Sequence, residues 1–201
     1  MTQQLLIATR NPGKVTEYSE ILGSLEVAWL DLDDVGVNVE VEEIGETFEE
    51  NAILKVKIYA RQTGLLTLAD DSGLEVDALN GRPGVHTARY GGPGLTPEQR
   101  YERLLDSLSS VPWEQRTARF RCVVALARDQ ELLGTATGVC EGMIASEPAG
   151  QGGFGYDPVF YLPERKMTMA QLKPAEKHQI SHRGRALASI APLLRAELSG
   201  R

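Results

Sequence analysis

The stretch Gly150-Gln151-Gly152-Gly153-Phe154-Gly155-Tyr156-Asp157-Pro158-Val159-Phe160 decides the fold class. Its glycines at 150, 152 and 155 spell G-x-G-x-x-G, the fingerprint of a dinucleotide-binding Rossmann unit. That fingerprint works only where it follows a strand and opens a helix, because the helix N-terminus must face the pyrophosphate. Here Gly155 leads into Tyr156-Asp157-Pro158 and then the β-type residues Val159, Phe160 and Tyr161. Pro158 works against helical angles at Asp157. The stretch therefore reads as a glycine-rich turn, in which glycine lets the backbone approach a ligand or bend tightly. Phe154 and Tyr156 then either pack in a core or offer aromatic faces on which a nucleobase stacks.

The flanking sequence fits that reading. QLLIA (4–8), LEVAWL (25–30) and LLTLA (65–69) read as strands, and NPGKVTEYSEIL (11–22) has helical spacing at Val15, Tyr18, Ile21 and Leu22. Thr47-Phe48-Glu49-Glu50 is a capping box that starts a helix running to about Gln62, with Gly64 as its stop. The acidic DDSG (70–73) is expected to stop its strand, and LEVDAL (74–79) to form another before the turn NGRPG. Thr96 caps a helix with Pro97 at its first position. ARFRCVVALA (118–127) and ELLGTATGVCEGMIA (131–145) read as paired strands. A last helix begins near Ser181 and carries Ala186, Leu187, Ile190 and Leu194. Alternating strands and helices followed by hairpin-like strands predict an α/β fold with a mixed sheet and flanking helices.

The chain has 201 residues, 42% hydrophobic and 24% charged, with a formal net charge of −7. That balance excludes a general nucleic-acid binder, which shows a basic face. It leaves room for a small anionic ligand, since local cations or a divalent metal reverse the sign locally. Cys122 and Cys140 lie in apolar stretches and read as reduced core residues. MTQQLLIATR has neither a basic start nor a long apolar run, so a cytoplasmic protein without a membrane span is expected.

Four segments carry candidate chemistry. In LLIATRNPGK a strand ends at Thr9, Asn11-Pro12-Gly13 turns, and Lys14 opens a helix, so backbone N–H groups and a lysine converge as for an anion. It is not a Walker A loop, because Ala8 and Val15 occupy positions that motif gives to Gly and Ser/Thr. In LADDSGLEVDAL, Asp70 and Asp71 are adjacent carboxylates whose repulsion a cation relieves, and hard oxygen ligands suit Mg²⁺. Read alone, each of these two segments is as well explained by an ordinary corner or a solvated acidic turn. EKHQISHRGRAL gathers Lys177, His182 and Arg183, a cationic cluster for phosphate or a base carbonyl. Zinc is not expected there: His178 lacks the following Glu of H-E-x-x-H and is placed before the helix. The fourth segment is the glycine-rich turn itself.

Together, ATRNPGK, GETFEENAILK, LADDSGLEVDAL, GRPGVHTARYGG, TARFRC, EGMI, EPAGQGGFGYDPVF and EKHQISHRGRAL resemble the inosine triphosphate pyrophosphatase family, from Ala8 to Leu187. The resemblance implies one domain over 1–201, a bent mixed α/β sheet with flanking helices in two lobes around a central substrate cleft. It implies hydrolysis of dITP, ITP or XTP to the monophosphate and pyrophosphate, with Mg²⁺ as cofactor, and a homodimer. By the same resemblance Thr9, Arg10, Asn11, Pro12, Gly13 and Lys14, with Lys55, hold the triphosphate. Asp71 is general base and metal contact, Asp70 supports the metal site, and Glu42 is the second metal contact, or Glu43 if the loop is aligned one residue on. Ser72 touches substrate; Phe154, Gly155, Tyr156 and Asp157 line the base pocket; Lys177, His182 and Arg183 contact base and phosphate. The stretch GVHTARY departs from the family in His86 and Thr87, where Tyr and Ser are more usual. A nucleotide-binding regulator that keeps the pocket without turnover is the alternative; the retained Asp70, Asp71, Lys14 and Lys55 speak against it.

Overall fold

The computed structural model describes residues 3–23 and 25–199. Residues 1, 2, 24, 200 and 201 of the expected single domain lie outside the described residues. The elements run β1 (Gln3–Ile7), α1 (Pro12–Leu22), β2 (Val27–Leu30), α2 (Phe48–Thr63), β3 (Leu66–Val76) and α3 (Pro97–Ser107). They continue with β4 (Thr117–Arg128), β5 (Glu131–Ile144), β6 (Phe160–Leu162), β7 (Met167–Thr168), α4 (Pro174–Ile180) and α5 (His182–Ser199). Seven strands form one sheet in the order β2-β1-β3-β4-β5-β6-β7. β1 pairs in parallel with β2 and β3, while β6 is antiparallel to β5 and β7. The mixed α/β sheet with flanking helices is thus as expected.

The chain divides into two compact units. The first comprises residues 1–71, 122–138 and 183–201; the second comprises 72–121 and 139–182. The first has its own core, in which Leu5 and Ile7 of β1, Leu66 and Leu68 of β3 and Val124 of β4 pack with Tyr18 of α1 and Leu187 and Ile190 of α5. The second packs Leu74 and Val76 of β3, Leu104 of α3, Phe120 of β4 and Ile144 of β5 with Tyr156 and Phe160.

The helix signals were well placed. Thr47 Oγ1 accepts from Glu50 N and the Glu50 side chain answers at the Thr47 N–H, closing the capping box of α2. The helix stops at Gly64, whose φ of 69° is left-handed and whose N–H bonds Ala60 O at 2.8 Å. One expectation fails. DDSG does not stop a strand: β3 runs unbroken through it to Val76, after which Asp77–Leu79 makes a 3-10 turn. Adjacent carboxylates break a strand only when unpartnered, and here both are buried against cations and donors. His178 precedes the last helix, α5, as expected, but lies in a further short helix, α4, which Pro174 opens at its first position; Ser181 then takes extended angles between α4 and α5. Asp157–Val159 forms a single 3-10 turn before β6, so no α-helix follows the glycines.

Among the described residues no helix is long and apolar enough to cross a membrane. Both cysteines are buried. Leu187 is fully buried in the first core, so Leu187→Ala should cost about 2–5 kcal/mol, lost transfer energy plus a cavity. Thr47→Ala removes only a cap and should cost about 1 kcal/mol. Urea denaturation of the two variants at neutral pH checks that order.

Candidate active site

In the first unit the parallel ladder carries β1 past its end, Ala8 N bonding Leu68 O at 2.8 Å, so the 9–14 loop follows directly from the sheet. Thr9 Oγ1 accepts from Asn11 N at 3.2 Å, and Asn11 caps α1 by accepting from Gly13 N at 3.0 Å and Lys14 N at 3.3 Å. These two amides are therefore engaged by the Asn11 carboxamide, not free for an anion as the turn chemistry led one to expect. Pro12 fills the first helical position, where no N–H is needed. Arg10 pairs with Asp33 at 2.8 Å and donates to Val37 O.

Lys14 reaches back to β3: its Nζ lies 2.8 Å from Asp70 Oδ2. Arg183, at the start of α5, meets the same oxygen at 3.3 Å and also pairs with Glu17 of α1. Burial alone would push the Asp70 carboxyl up, but Lys14, Arg183 and Lys55 outweigh it, and Asp70 is held well below the usual carboxylate range. Cys122 donates weakly to that carboxylate at 3.6 Å; burial, then the Asp70 charge, push its thiol far up, which makes it inert. Tyr18 lies buried beside the group, its phenol raised by burial and by Asp70; neither its hydroxyl nor Asp70 Oδ1 completes a hydrogen bond among the described residues. The Arg183 guanidinium is 1% exposed and faces carboxylates.

Asp71, one residue on, has a different set of neighbours. Asn51 Nδ2 donates to its Oδ2 at 3.0 Å, and Lys55 Nζ stands 3.7 Å from Oδ1. Lys55 also meets Glu43 Oε1 at 2.5 Å. Burial raises the Asp71 carboxyl and the Glu43 charge adds to it, more than Lys55, Lys14 and the Asn51 hydrogen bond take away. Lys55 is raised despite its burial, by Asp71, Asp70 and Glu43. The structure thus brings Glu43, not Glu42, to Asp71; Glu42 is exposed.

Asn51 was missed in the sequence. It is fully buried, one helical turn before Lys55 on α2, and that i, i+4 spacing was the available signal. Glu17 was missed as well, lying one turn after Gly13 on the buried face of α1.

In the second unit Asp157 is the centre. Its Oδ2 accepts from Phe154 N at 2.9 Å and pairs with Lys177 Nζ at 2.5 Å. The Lys177 ammonium also stands 4.8 Å over the Phe154 ring, so a cation occupies one aromatic face. Gly153 has φ 70°, and a Cβ there would fall 2.0 Å from Asp157 Oδ2, which leaves room only for glycine. The Tyr156 ring packs in the second core and its hydroxyl donates to Thr87 O at 3.1 Å. Thr87 Oγ1 accepts from Leu74 N at 2.8 Å and donates to Gly84 O, so the unusual Thr keeps a hydroxyl at that position. His182 is buried and stacks on Phe120 with ring centroids 4.7 Å apart. Ser72 is half-buried on β3, and Gly155, with φ 63°, is half-buried beside Phe154.

A family model described as Ham1 family matches residues 5–193. A dITP/XTP pyrophosphatase of Geobacter sulfurreducens is 50% identical over 187 residues, 93% of this chain and 94% of that protein. A dITP/XTP pyrophosphatase of Bacillus subtilis is 46% identical, covering 96% of this chain and 98% of its own length. A HAM1 protein structure from Coxiella burnetii superposes with a TM-score of 0.87 at 43% identity, over 96% of this chain and 99% of the other. The fold and family read from the motifs agree with these likenesses.

The Asp70 shift carries a stability prediction. Its folded pKa is lowered, so it adds stability above the unfolded carboxylate value of about 3.9 that is lost as pH falls below it. Asp70→Asn leaves Lys14 and Arg183 facing a neutral group and should cost about 3–5 kcal/mol at pH 7. The gap between variant and wild type should shrink in urea titrations taken from pH 5 to pH 2.5.

Proposed function

The chain belongs to the Ham1 family, and on that basis we infer that it hydrolyses deaminated purine nucleoside triphosphates, namely dITP, ITP and XTP, to the nucleoside monophosphate and pyrophosphate. The observation that carries this reading in the chain itself is the split between two adjacent carboxylates. Asp70 is held as an anion by Lys14 and Arg183, while Asp71 is raised by burial and the Glu43 charge. Adjacent groups driven apart in this way mark acid–base assignments.

In this reading Asp71 takes the proton of the attacking water, with Asn51 holding its other oxygen. Thr9 to Lys14 hold the triphosphate, and Lys14 and Lys55 stabilise charge on the departing pyrophosphate. Arg183 acts through Asp70, keeping that anion in place for Lys14. Ser72 touches substrate, and Phe154, Gly155 and Asp157 with Lys177 and His182 serve the base, while Tyr156 anchors the same turn from the core. Hypoxanthine and xanthine present a carbonyl at position 6 where adenine presents an amino group, and a site built around donors rejects such a mismatch by ~10⁴ or more.

The residues fit Mg²⁺. Asp71 and Glu43 offer carboxylate oxygens that both reach Lys55, and Mg²⁺ binds one or two carboxylates together with substrate phosphates. Among the described residues no three His, Cys, Asp or Glu side chains gather as a cage, in keeping with a cation shared with substrate. Bound there, Mg²⁺ would neutralise phosphate charge and polarise the attacked phosphorus. The proposal takes the whole chain as one catalytic domain, working as a homodimer in the cytoplasm.

The test is pyrophosphate release from dITP, XTP, dATP, dGTP and dTTP with Mg²⁺, beside Asp71→Asn. Release from dITP and XTP should dominate, fall by at least about 10²-fold in the variant, and vanish with chelator. Binding of dITP without turnover would replace this reading with the nucleotide-binding regulator.

A further inference from the structure

We propose that Asn51 is a positioning residue for the reaction: it sets the orientation of the Asp71 carboxylate and ties to it the loop that carries Glu43. The inference rests on the reading of Asp71 as the catalytic carboxylate.

The geometry begins at the start of α2. Three successive backbone amides, of Gly45, Glu46 and Thr47, would end unpaired where the loop enters the helix. Side chains of the first turn take all three. Asn51 Oδ1 accepts from Gly45 N at 2.7 Å, and Glu50 Oε2 accepts from Glu46 N at 2.7 Å and Thr47 N at 3.3 Å. The loop therefore has one setting on the helix, two residues from Glu43. Gly45 has no room for a side chain, since a Cβ would lie 2.7 Å from Asn51 Oδ1 and 2.8 Å from Glu50 Cβ.

The same carboxamide faces β3 with its other end. Nδ2 donates to Asp71 Oδ2 at 3.0 Å and reaches Gly45 O at 3.5 Å. Which end is oxygen and which nitrogen follows from these partners: a backbone N–H needs an acceptor and a carboxylate needs a donor. With Oδ2 engaged, Oδ1 is the atom that stands toward Lys55. One fully buried side chain thus fixes the rotation of Asp71 and the seat of the loop bearing the second carboxylate, while Lys55, one turn on, bridges both. Outer hydrogen bonds of this kind set ligand orientation, and their loss costs about 10–100-fold in affinity or activity.

The test compares wild type, Asn51→Ser, Asn51→Asp and Thr47→Ala. The readouts are kcat and KM for dITP and, separately, Mn²⁺ binding to the nucleotide-free protein by calorimetry. Asn51→Ser should lose about 10–100-fold in kcat with KM within about threefold, and bind Mn²⁺ about tenfold more weakly. Asn51→Asp is isosteric and keeps the acceptor for Gly45 N but loses the donor to Asp71, so its kcat should stay low. Thr47→Ala loosens the same helix start without touching Asp71 and should keep both kcat and Mn²⁺ affinity. Wild-type kcat in Asn51→Ser, recovery in Asn51→Asp, or an equal loss in Thr47→Ala would each overturn the inference while leaving the proposed activity standing. A wild-type protein without turnover of dITP would overturn that activity, and this inference with it.

Discussion

Two carboxylates stand side by side in the middle of a buried strand, and much of the first unit is arranged to tolerate them. Successive side chains on a strand point to opposite faces, so Asp70 and Asp71 meet different direct partners, although the charges of Lys14 and Lys55 act on both. Asp70 draws Lys14 from α1 and Arg183 from α5; Asp71 draws Asn51 and Lys55 from α2. Three helices are thus placed against β3 by charge as well as by apolar packing.

That arrangement is expensive, which bears on why it is kept. Moving a carboxylate out of water costs several kcal/mol even after relaxation, and well-packed apolar residues in place of a buried ion pair are often as stable. Glu17, Arg183, Asp70 and Lys14 form a chain of such charges, with Arg183 and Asp70 almost wholly buried. An apolar core would hold α1, α5 and β3 together at least as well. What it would not do is hold a lysine ammonium at the start of α1 with its charge balanced. Nor would it keep one of two neighbouring carboxyls permanently ionised while the other stays raised.

The parts of the chain that were legible in sequence are those governed by local rules. The capping box at Thr47, the left-handed stop at Gly64 and the Thr96-Pro97 start are decided within a few residues, and each stands where its residue types place it. The failures are tertiary. DDSG reads as a strand stop because its charges look exposed; distant Lys14, Arg183, Lys55 and Asn51 make it strand. α4 escapes because Lys173 precedes Pro174 where Ser, Thr, Asp or Asn would announce a cap. Glu42 and Glu43 are indistinguishable by type and spacing, and only the path of the loop puts the second beside Lys55. Asn11 caps α1 as its residue type allows, but in doing so takes the amides that an anion was expected to meet. Tyr156 carries an aromatic ring suited to a nucleobase, yet its ring belongs to the second core.

The glycine-rich turn follows the same logic in the second unit. Gly150, at φ 83°, lies where a Cβ would come within 2.7 Å of the Ala170 carbonyl, and Gly152 N then bonds that oxygen at 2.9 Å. Gly153 is excluded from any side chain by the Asp157 carboxylate. Of the three glycines that spell the dinucleotide fingerprint, Gly150 and Gly152 therefore answer to the close Ala170 backbone and Gly155 to its left-handed φ of 63°, while Gly153, between them, answers to a buried anion. Asp157 and Lys177 are paired within the protein, so the turn is held before any ligand contributes to it. A turn ordered in advance costs less to engage than one that orders on binding. In both units, then, a buried carboxylate that already has its cation fixes the backbone and leaves neighbouring groups, Asp71 in one and Phe154 in the other, set in place for chemistry or contact.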